Sequence, residues 1–490
     1  MKNYKNKIST SLLACLFVFA LYSCSDDYLE EVDRYSIDSE SYFNSETDYY
    51  NALIGAYDLL QASYLNVIMG EIASDNTVAG GESATDVVSW QQIDKMIHTP
   101  VNSELRKLWE WMYAGVNRTN FILEFQDKTD FEGKEIILGE ARFLRAYYYF
   151  ELVKWFGPVP LKETRFVLGD ETSIPRAPVA DVYALIEADL NYAITNLNYA
   201  APQVGRATKG SAQALLGKAY LYQNKFSEAA NVLDNLIANG PYDLVSDYDM
   251  IFEKAGENGI ESVFEIQYSD AKGASFDCLQ CSEGNIAVGF NGIRNYSGPF
   301  FDSGFSFNVP TKEVVDAFEI GDLRKDVAIL DIEAWATAHN VTYAEGNEHT
   351  GYYNRKYIAR QGDLNTGDQN LTNPNNYRAI RFADVLLMAA EAYNRGDISD
   401  TKAQQYLNRV RARAFGAPND ITSTGAVLTD AIANERRVEL VGEGHRFFDL
   451  VRTGRGLEIE GFTTGKNEVF PIPVEEIQFS NGNWEQNPNY

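Results

Sequence analysis

Cys24 is the residue whose reactive chemistry the sequence indicates most directly. It follows an apolar run over residues 12–22 that is too short to span a bilayer, and lysines precede that run. Ser23 places a small residue directly before the cysteine, as in a bacterial lipobox, where the thiol accepts a diacylglycerol and the cysteine becomes the mature N-terminus. We therefore predict a lipoprotein signal peptide over residues 1–23 and lipidation of Cys24. A plain signal peptide cut nearby and an uncleaved anchor are the alternatives.

Cys278 and Cys281 form a C-x-x-C pair in the stretch FDCLQCSEG, and three kinds of chemistry use such a pair. A zinc site needs two further ligands, and none of the four histidines is near in sequence. A redox pair normally opens a helix beside a strand, whereas this pair lies among glycine, serine and asparagine residues. Because short disulfides are common outside the cytoplasm, we predict a local Cys278–Cys281 disulfide and no metal site.

Charged residues are abundant, but no catalytic motif contains them. The nucleophile elbow, the HExxH zinc motif, the phosphate loop and the dinucleotide fingerprint are all absent. A glycosidase needs two carboxylates at a fixed separation, and among 70 Asp and Glu residues a pair can always be imagined. We predict that one conspicuous cluster forms structural ion pairs rather than a catalytic site. It comprises Arg436, Arg437, Glu439, Glu443, Arg446 and Asp449.

The formal net charge of −28 restricts the partners of the chain. Such a field repels phosphate backbones and argues against nucleic acid, and it disfavours strongly anionic polysaccharides in the same way. The hydrophobic content of 45% is ordinary for a globular protein and predicts a sizeable core. After the N-terminal run, no segment of the sequence is long and apolar enough to cross a membrane.

Helical periodicity dominates the rest of the sequence. The stretches TKGSAQALLGKAYLYQ and KFSEAANVLDNLIANG resemble a tetratricopeptide unit, in which Gly217 and Ala229 let two helices approach closely. Related pairs recur near Gly139 and after Phe382 at uneven spacing. We therefore predict a mainly α fold, built as a tetratricopeptide-like helical-repeat scaffold with a less regular, loop-rich lobe that carries a few short strands.

Two stretches interrupt the helical pattern, at about residues 66–100 and 240–375. The longer one is rich in glycine, asparagine, serine and aromatic residues. Within it, ESVFEIQYS (261–269) alternates apolar and polar residues and predicts a half-buried strand. Because long irregular insertions usually carry function, we look for binding residues in these two stretches.

Three sequence blocks occur together and in order along the chain. The first is the lipobox and the acidic residues directly after it. The second is the stretch GEARFLRAYYYFELVKWFGPVPL, and the third is IANERRVELVGEGHRFFDLVRTGR followed by FPIPVEEI and NPNY. Together they resemble the starch-utilisation D family (SusD/RagB-type proteins), which are surface glycan-binding lipoproteins of Bacteroidetes. The resemblance covers essentially the whole chain.

The resemblance implies one glycan-binding domain over residues 24–490, on a tetratricopeptide-like helical scaffold. It also implies a lipid-anchored protein on the outer face of the outer membrane that has no enzymatic activity and no cofactor. Such a protein captures an oligo- or polysaccharide and closes a SusC-like TonB-dependent transporter over it. A glycoside hydrolase and a peptide-binding helical-repeat scaffold are the alternatives.

A glycan site needs flat aromatic side chains for the apolar faces of sugar rings and short polar side chains for the hydroxyl groups. Most helical aromatics are needed for the core, so the two insertions are the place to look. The predicted glycan-binding residues are Asp75, Asn76, Trp90, Tyr296, Phe300 and Trp335. Two tryptophan platforms and the net negative charge of the protein favour a neutral glycan as the ligand. Among neutral glycans, we predict a laminarin-type β-glucan before the others.

The lipobox interpretation predicts that Cys24→Ala protein loses membrane retention or accumulates as its precursor, because the acyl-accepting thiol is gone. Fractionation of cells and metabolic labelling with a fatty acid measure both outcomes. Cys15→Ala is the matched control, since Cys15 lies within the predicted signal peptide and its replacement should leave the protein acylated. Normal membrane retention of Cys24→Ala protein would contradict the interpretation.

Overall fold

The computed structural model describes residues 42–273, 275–276, 279, 282–362 and 371–490, so the predicted signal peptide, Cys24 and the Cys278–Cys281 pair lie outside the described residues. The described chain is mainly helical, as predicted. Its α-helices are α1 Glu46–Asp58, α2 Tyr64–Ile72, α3 Val88–Asp94, α4 Ser103–Glu124, α5 Lys134–Phe156, α6 Val179–Asn196, α7 Lys209–Tyr222, α8 Phe226–Asn239, α9 Ile286–Asn291, α10 Lys312–Asp316, α11 Lys325–Ala328, α12 Ile332–His339, α13 Phe382–Arg395, α14 Asp400–Phe415, α15 Gly425–Glu439, α16 Arg446–Arg452 and α17 Val474–Phe479. Within the described ranges, none of these helices combines the length and apolar character that a membrane span requires.

The β-structure of the described residues consists of short two-stranded sheets. The strands are β1 Thr77–Val78, β2 Val159–Pro160, β3 Arg176–Ala177, β4 Ser262–Ile266, β5 Ile293–Arg294, β6 Ser303–Gly304, β7 Val309–Pro310, β8 Ile329–Asp331, β9 Tyr352–Asn354 and β10 Tyr377–Arg381. They pair as β1–β7, β2–β3, β4–β10, β5–β6 and β8–β9, and only β5–β6 is parallel among these. The strand that the sequence predicts over 261–269 is confirmed as β4, which lies antiparallel to β10.

Polar caps open two of the scaffold helices, and a glycine closes a third. The Asn102 side chain accepts hydrogen bonds from the backbone N–H groups of Glu104 at 3.1 Å and Leu105 at 3.3 Å, which satisfies donors at the start of α4. Thr208 opens α7 with a reciprocal capping box. Helix α5 ends at Gly157, whose φ of +69° is accessible to glycine without steric cost.

The helical scaffold is a continuous array of neighbouring helices. Helices α4 to α8 pack in sequence, and α13, α14 and α15 continue the array from α8. A Cβ atom on Gly115 would lie 2.6 Å from the ring of buried Tyr148, and one on Gly217 would lie 2.4 Å from Leu233. The missing side chains therefore permit α4 to approach α5 and α7 to approach α8, which confirms the predicted tetratricopeptide-like pairing.

The two predicted insertions differ in how regular their structure is. Within residues 66–100, α2 is buried along its whole length and α3 follows β1, so this stretch belongs largely to the packed core. Residues 240–375 do form a loop-rich lobe with short helices and strands. This lobe has an apolar core of its own around Ile293, Ile332 and Tyr353.

A buried ionic network joins the lobe to the helical scaffold. Arg381, the residue before α13, donates to Glu439 at 2.8 Å and to Glu443 at 2.7 and 2.8 Å. From the lobe, Arg324 donates to Glu439 at 2.8 Å and Lys356 donates to Glu443 at 2.7 Å. All five side chains are fully buried. Glu443 lies in the turn that follows α15.

Two buried carboxyl groups and two buried histidines have shifted pKa values, and the two kinds of shift affect stability in opposite directions as the pH falls. Burial raises the pKa of Glu71 and of Asp94 to about 7, so the folded protein takes up protons there before the unfolded chain does. This stabilises the fold as the pH falls from 7 towards the ordinary carboxyl value of 4.5. Burial lowers the pKa of His98 to about 4 and of His445 to about 3. The unfolded chain therefore protonates at these histidines first, which destabilises the fold below the ordinary value of 6.5.

We expect stability to change little from about pH 7 to about pH 5, because the two opposing groups of shifts offset each other there, and to fall steeply below about pH 4.5. In that acid range the arginines hold the pKa values of Glu439 and Glu443 below the ordinary value, so the unfolded chain binds protons that the folded protein does not. Urea unfolding followed by circular dichroism from pH 3 to pH 8 measures the profile. A free energy of unfolding that still rises below pH 4 would contradict it.

Candidate functional site

Three aromatic rings converge on the surface of the loop-rich lobe. Trp335 and His339 lie four residues apart on α12, and their ring centroids are 4.0 Å apart. Phe300, from the loop before β6, meets both rings edge-on, at 5.5 Å from Trp335 and 5.3 Å from His339. Phe300 is 53% exposed, His339 is exposed and Trp335 is half-buried. We call Phe300, Trp335 and His339 the aromatic platform.

Two buried rings support the platform from below. Tyr296 is 7% exposed, and its hydroxyl donates to the carbonyl of Pro299 at 2.6 Å while it accepts the Trp335 indole N–H at 3.2 Å. Phe301 is 4% exposed and lies 5.2 Å from the Trp335 ring. These contacts fix the orientation of Trp335, so the side chain does not have to be ordered when a ligand arrives.

Phe300 holds an unusual backbone conformation at the edge of the platform. Its φ of +79° lies in the left-handed region, which costs a residue other than glycine about 1–3 kcal/mol. Backbone hydrogen bonds hold the segment in place: Gln361 N–H donates to the Phe300 carbonyl at 2.9 Å, and Asp302 N–H donates to the Ala359 carbonyl at 2.9 Å. The surrounding structure therefore forces the Phe300 ring outwards, and strain of this kind is common at functional sites.

Helix α12 is anchored at its start by its own cap. The Asp331 side chain accepts the backbone N–H of Ala334 at 2.9 Å, and Ile332 is fully buried in the core of the lobe. The helix ends at Asn340, whose φ is +51°. A short helix that is fixed at its start and packed on one side is a rigid mount for Trp335 and His339.

Basic side chains of the lobe are engaged in structural contacts. Arg360 lies over the Phe301 ring at 5.5 Å and pairs with Glu253 at 2.7 Å. Arg355 pairs with Asp249. Arg294 donates to a backbone carbonyl, and Lys356 belongs to the buried ionic network. These four side chains therefore serve the fold.

Three predicted glycan-binding residues lie elsewhere and serve the fold. Trp90 is 2% exposed and packs edge-on against Phe290 at 4.8 Å and Phe307 at 5.0 Å. The prediction of Trp90 as a platform is wrong, because neither face of its ring is available to a sugar.

Asp75 and Asn76 are committed to arginines of the C-terminal helices. Arg446 pairs with Asp75 at 2.7 Å, and Arg437 donates to the side-chain Oδ1 of Asn76 at 2.8 Å. Asn76 is fully buried. The prediction that Asn76 binds a sugar is therefore wrong, whereas Asp75 is half-buried and paired with arginine, and its prediction as a glycan ligand stays a prediction.

The structure does bring Tyr296, Phe300 and Trp335 together, as the sequence analysis grouped them. Tyr296 supports the platform rather than facing solvent. His339 was missed, although its spacing of four residues from Trp335 on a helix is a signal that could have found it.

The conspicuous charge cluster near the C-terminus is structural. Arg436 pairs with Asp384 at 2.7 Å and Asp449 at 3.0 Å, and Glu439 and Glu443 lie in the buried ionic network. The neighbouring arginines hold the pKa of Asp449 below its ordinary value. Among the described residues, no group of three His, Cys, Asp or Glu side chains is arranged to hold a metal ion.

Fold and surface together define a class of protein: a tetratricopeptide-like scaffold that presents a fixed aromatic surface on an attached lobe. Two family models match the chain, described as the SusD family over residues 333–490 and as starch-binding associating with outer membrane over residues 27–221. The solved structure of a laminarin binding SusD-like protein is 36% identical, with a TM-score of 0.85, and the match covers 91% of this chain and 100% of that chain. The chain belongs to the SusD family.

Two further relatives agree with this assignment. The structure of surface glycan-binding protein A from Bacteroides thetaiotaomicron in complex with laminarihexaose is 28% identical, with a TM-score of 0.81, and the match covers 91% of this chain and 100% of that chain. A SusD-like protein from Formosa agariphila is 28% identical over 539 residues, with full coverage of both chains. The family resemblance noted in the sequence is thereby confirmed.

Proposed function

We propose that this protein binds a neutral glycan at the cell surface and that the aromatic platform is the binding surface. The ligand we propose before other neutral glycans is a laminarin-type β-glucan. The observation that carries the proposal is the exposed, preordered contact between Phe300, Trp335 and His339 in a chain whose relatives include a laminarin binding protein. A second relative has been solved with laminarihexaose.

The chemistry of the platform suits a glucan. β-Linked glucose rings carry their hydroxyl groups equatorially, so both faces are apolar and stack on flat aromatic rings. Trp335 offers the largest ring, Phe300 extends the apolar surface, and His339 adds ring nitrogens that exchange hydrogen bonds with hydroxyl groups. The net charge of −28 opposes uronate-rich or sulfated chains, and the lobe arginines described above are already paired.

The same proposal includes delivery and anchoring. The family model over residues 27–221 is described as starch-binding associating with outer membrane. We propose that Cys24 tethers the protein to the outer membrane by its acyl chains, and that the bound glycan passes to a SusC-like TonB-dependent transporter. In this role the protein binds and presents its ligand and performs no hydrolysis.

Trp335→Ala and Phe300→Ala should each weaken binding of laminarin by roughly ten-fold or more, because an aromatic stacking contact contributes about 1–3 kcal/mol and 1.4 kcal/mol is a factor of ten. Isothermal titration with laminarin and laminarihexaose measures the change, and circular dichroism checks folding. Leu457→Ala is a control, since Leu457 is 77% exposed and lies outside the platform. Binding like wild type by both variants would place the site elsewhere, and a preference for alginate would defeat the charge argument.

Delivery predicts that the protein and a TonB-dependent transporter purify together from detergent-solubilised outer membrane. An affinity tag on this protein and mass spectrometry of the eluate measure the association, with the Cys24→Ala protein as a control for the contribution of anchoring. Recovery of this protein alone, under conditions that preserve other membrane complexes of the same cells, would contradict the delivery step while leaving glycan binding untouched.

A further inference from the structure

A second aromatic surface lies in the helical half of the molecule, away from the loop-rich lobe. A cleft of about 340 Å³ opens between α4, the connection from β2 to β3, α17 and the C-terminal segment. Its walls include Trp109, Tyr113, Phe166 and Trp484. The rings contact one another in series, with Phe166 to Tyr113 at 5.5 Å, Tyr113 to Trp109 at 4.8 Å and Trp109 to Trp484 at 6.0 Å. A concave aromatic cleft of this volume falls in the usual range for small-molecule sites, about 300–1,000 Å³.

Hydrogen bonds hold the walls of this cleft in position. The Tyr113 hydroxyl donates to the Pro160 carbonyl at 2.8 Å, and the Trp484 indole N–H donates to the Ile174 carbonyl at 2.8 Å. The backbone N–H of Phe166 donates to the Asn117 side chain at 2.7 Å. The cleft is therefore preformed, and the side chains of Tyr113 and Phe166 are half-buried and retain some exposed surface.

Four carboxylates border the aromatic walls: Glu110, Asp170, Glu171 and Glu476. Two of them already have cationic partners within the protein, because Arg106 pairs with Glu110 at 2.7 Å and Lys162 pairs with Asp170. Burial and the nearby Glu110 charge raise the pKa of Glu476. Carboxylate oxygens accept hydrogen bonds, and the hydroxyl groups of a sugar can donate to them.

We propose that this cleft is a second glycan-binding site, in which the mutually perpendicular Tyr113 and Phe166 rings contact the apolar surface of the sugar and the carboxylates accept its hydroxyl hydrogens. The inference rests on the proposed function, because it assumes the same class of neutral ligand as the aromatic platform. A polysaccharide that engages both sites gains avidity, since the second contact forms at a high effective concentration. A short oligosaccharide occupies one site at a time and gains none.

Val167, which lines the cleft, is 60% exposed, and two apolar side chains nearby in the sequence are also exposed: Leu168 at 99% and, on α17, Phe479 at 60%. Such side chains occur at protein-binding surfaces as well. The concave shape and the row of hydrogen-bond acceptors favour a sugar, because a protein partner that buried those acceptors would have to supply donors for each of them. Protein docking is therefore one of the outcomes that the experiment distinguishes.

The test uses the folded protein with laminarihexaose as the short probe and long-chain laminarin as the polymeric one. Titration calorimetry is performed on wild type, Trp335→Ala, Phe166→Ala and the double variant. We expect two hexasaccharides per wild-type protein, one per single variant and roughly ten-fold or greater loss of residual affinity in the double variant. Laminarin should bind wild type more tightly than either single variant. Leu168→Ser is the matched control from the same loop, because it does not line the cleft.

The outcomes separate this inference from the proposed function. One hexasaccharide per wild-type protein, with binding abolished by Trp335→Ala and unchanged by Phe166→Ala, overturns the second site and leaves the platform standing. Residual binding in Trp335→Ala that Phe166→Ala removes supports the cleft. Binding unaffected by Trp335→Ala but lost with Phe166→Ala supports the cleft and overturns the platform. Absence of hexasaccharide and laminarin binding in wild type overturns both the second site and the platform.

A protein contact is detected by a different result. If Phe166→Ala and Leu168→Ser leave glycan binding unchanged but lose the co-purifying transporter, the cleft binds a protein and the glycan assignment is overturned.

Discussion

The fold depends on the buried charge of Arg381. Its guanidinium connects Glu439 and Glu443, which in turn hold Arg324 and Lys356 from the loop-rich lobe. Loss of one partner from a buried ion pair costs about 3–5 kcal/mol, because the remaining charge stays buried without compensation. Apolar surfaces can shift against each other with little loss of contact. Hydrogen-bonded ion pairs are directional, so they are satisfied only when the lobe and the scaffold are correctly aligned. The network therefore determines where the lobe lies on the helices.

The position of the lobe decides the position of the aromatic platform. Lys356 lies in the short helical turn 355–357, and the chain continues within a few residues to Ala359 and Gln361. Those two residues exchange backbone hydrogen bonds with the segment that carries Phe300. One short stretch of chain thus links the buried network to the exposed rings, so the platform is positioned by the interior as well as by its local contacts.

The sequence predicts the long helices closely because an apolar stripe of helical period has one structural interpretation. The same stripe predicts that Gly217 lies where two helices meet, and the structure agrees. Burial in irregular regions is harder to predict, because it depends on segments distant in sequence. Trp90 is covered by Phe290 and Phe307, about two hundred residues further along the chain, and no local pattern records that.

Hydrogen-bond partners of the candidate site show the same limit. Asp75 looks like a free acid in a loop until Arg446 is brought beside it, 371 positions later. Trp109 lies on a helix and Trp484 near the C-terminus, far apart in sequence, yet they share one cleft. By contrast, Tyr296, Phe300 and Trp335 all lie in the longer insertion, and the structure brings them into contact.

The left-handed backbone at Phe300 has a consequence for how this surface can diverge. At a φ of +79°, glycine, asparagine and aspartate fit with less strain than a bulky residue, and β-branched residues fit worst. Drift at this position is therefore steered towards small or amide-bearing side chains, each of which removes an apolar surface and, for asparagine, adds hydrogen-bonding groups. Replacement of Phe300 by asparagine would thus ease the backbone strain and exchange an apolar ring for hydrogen-bonding groups, so one substitution changes the chemistry of this surface without disturbing the loop.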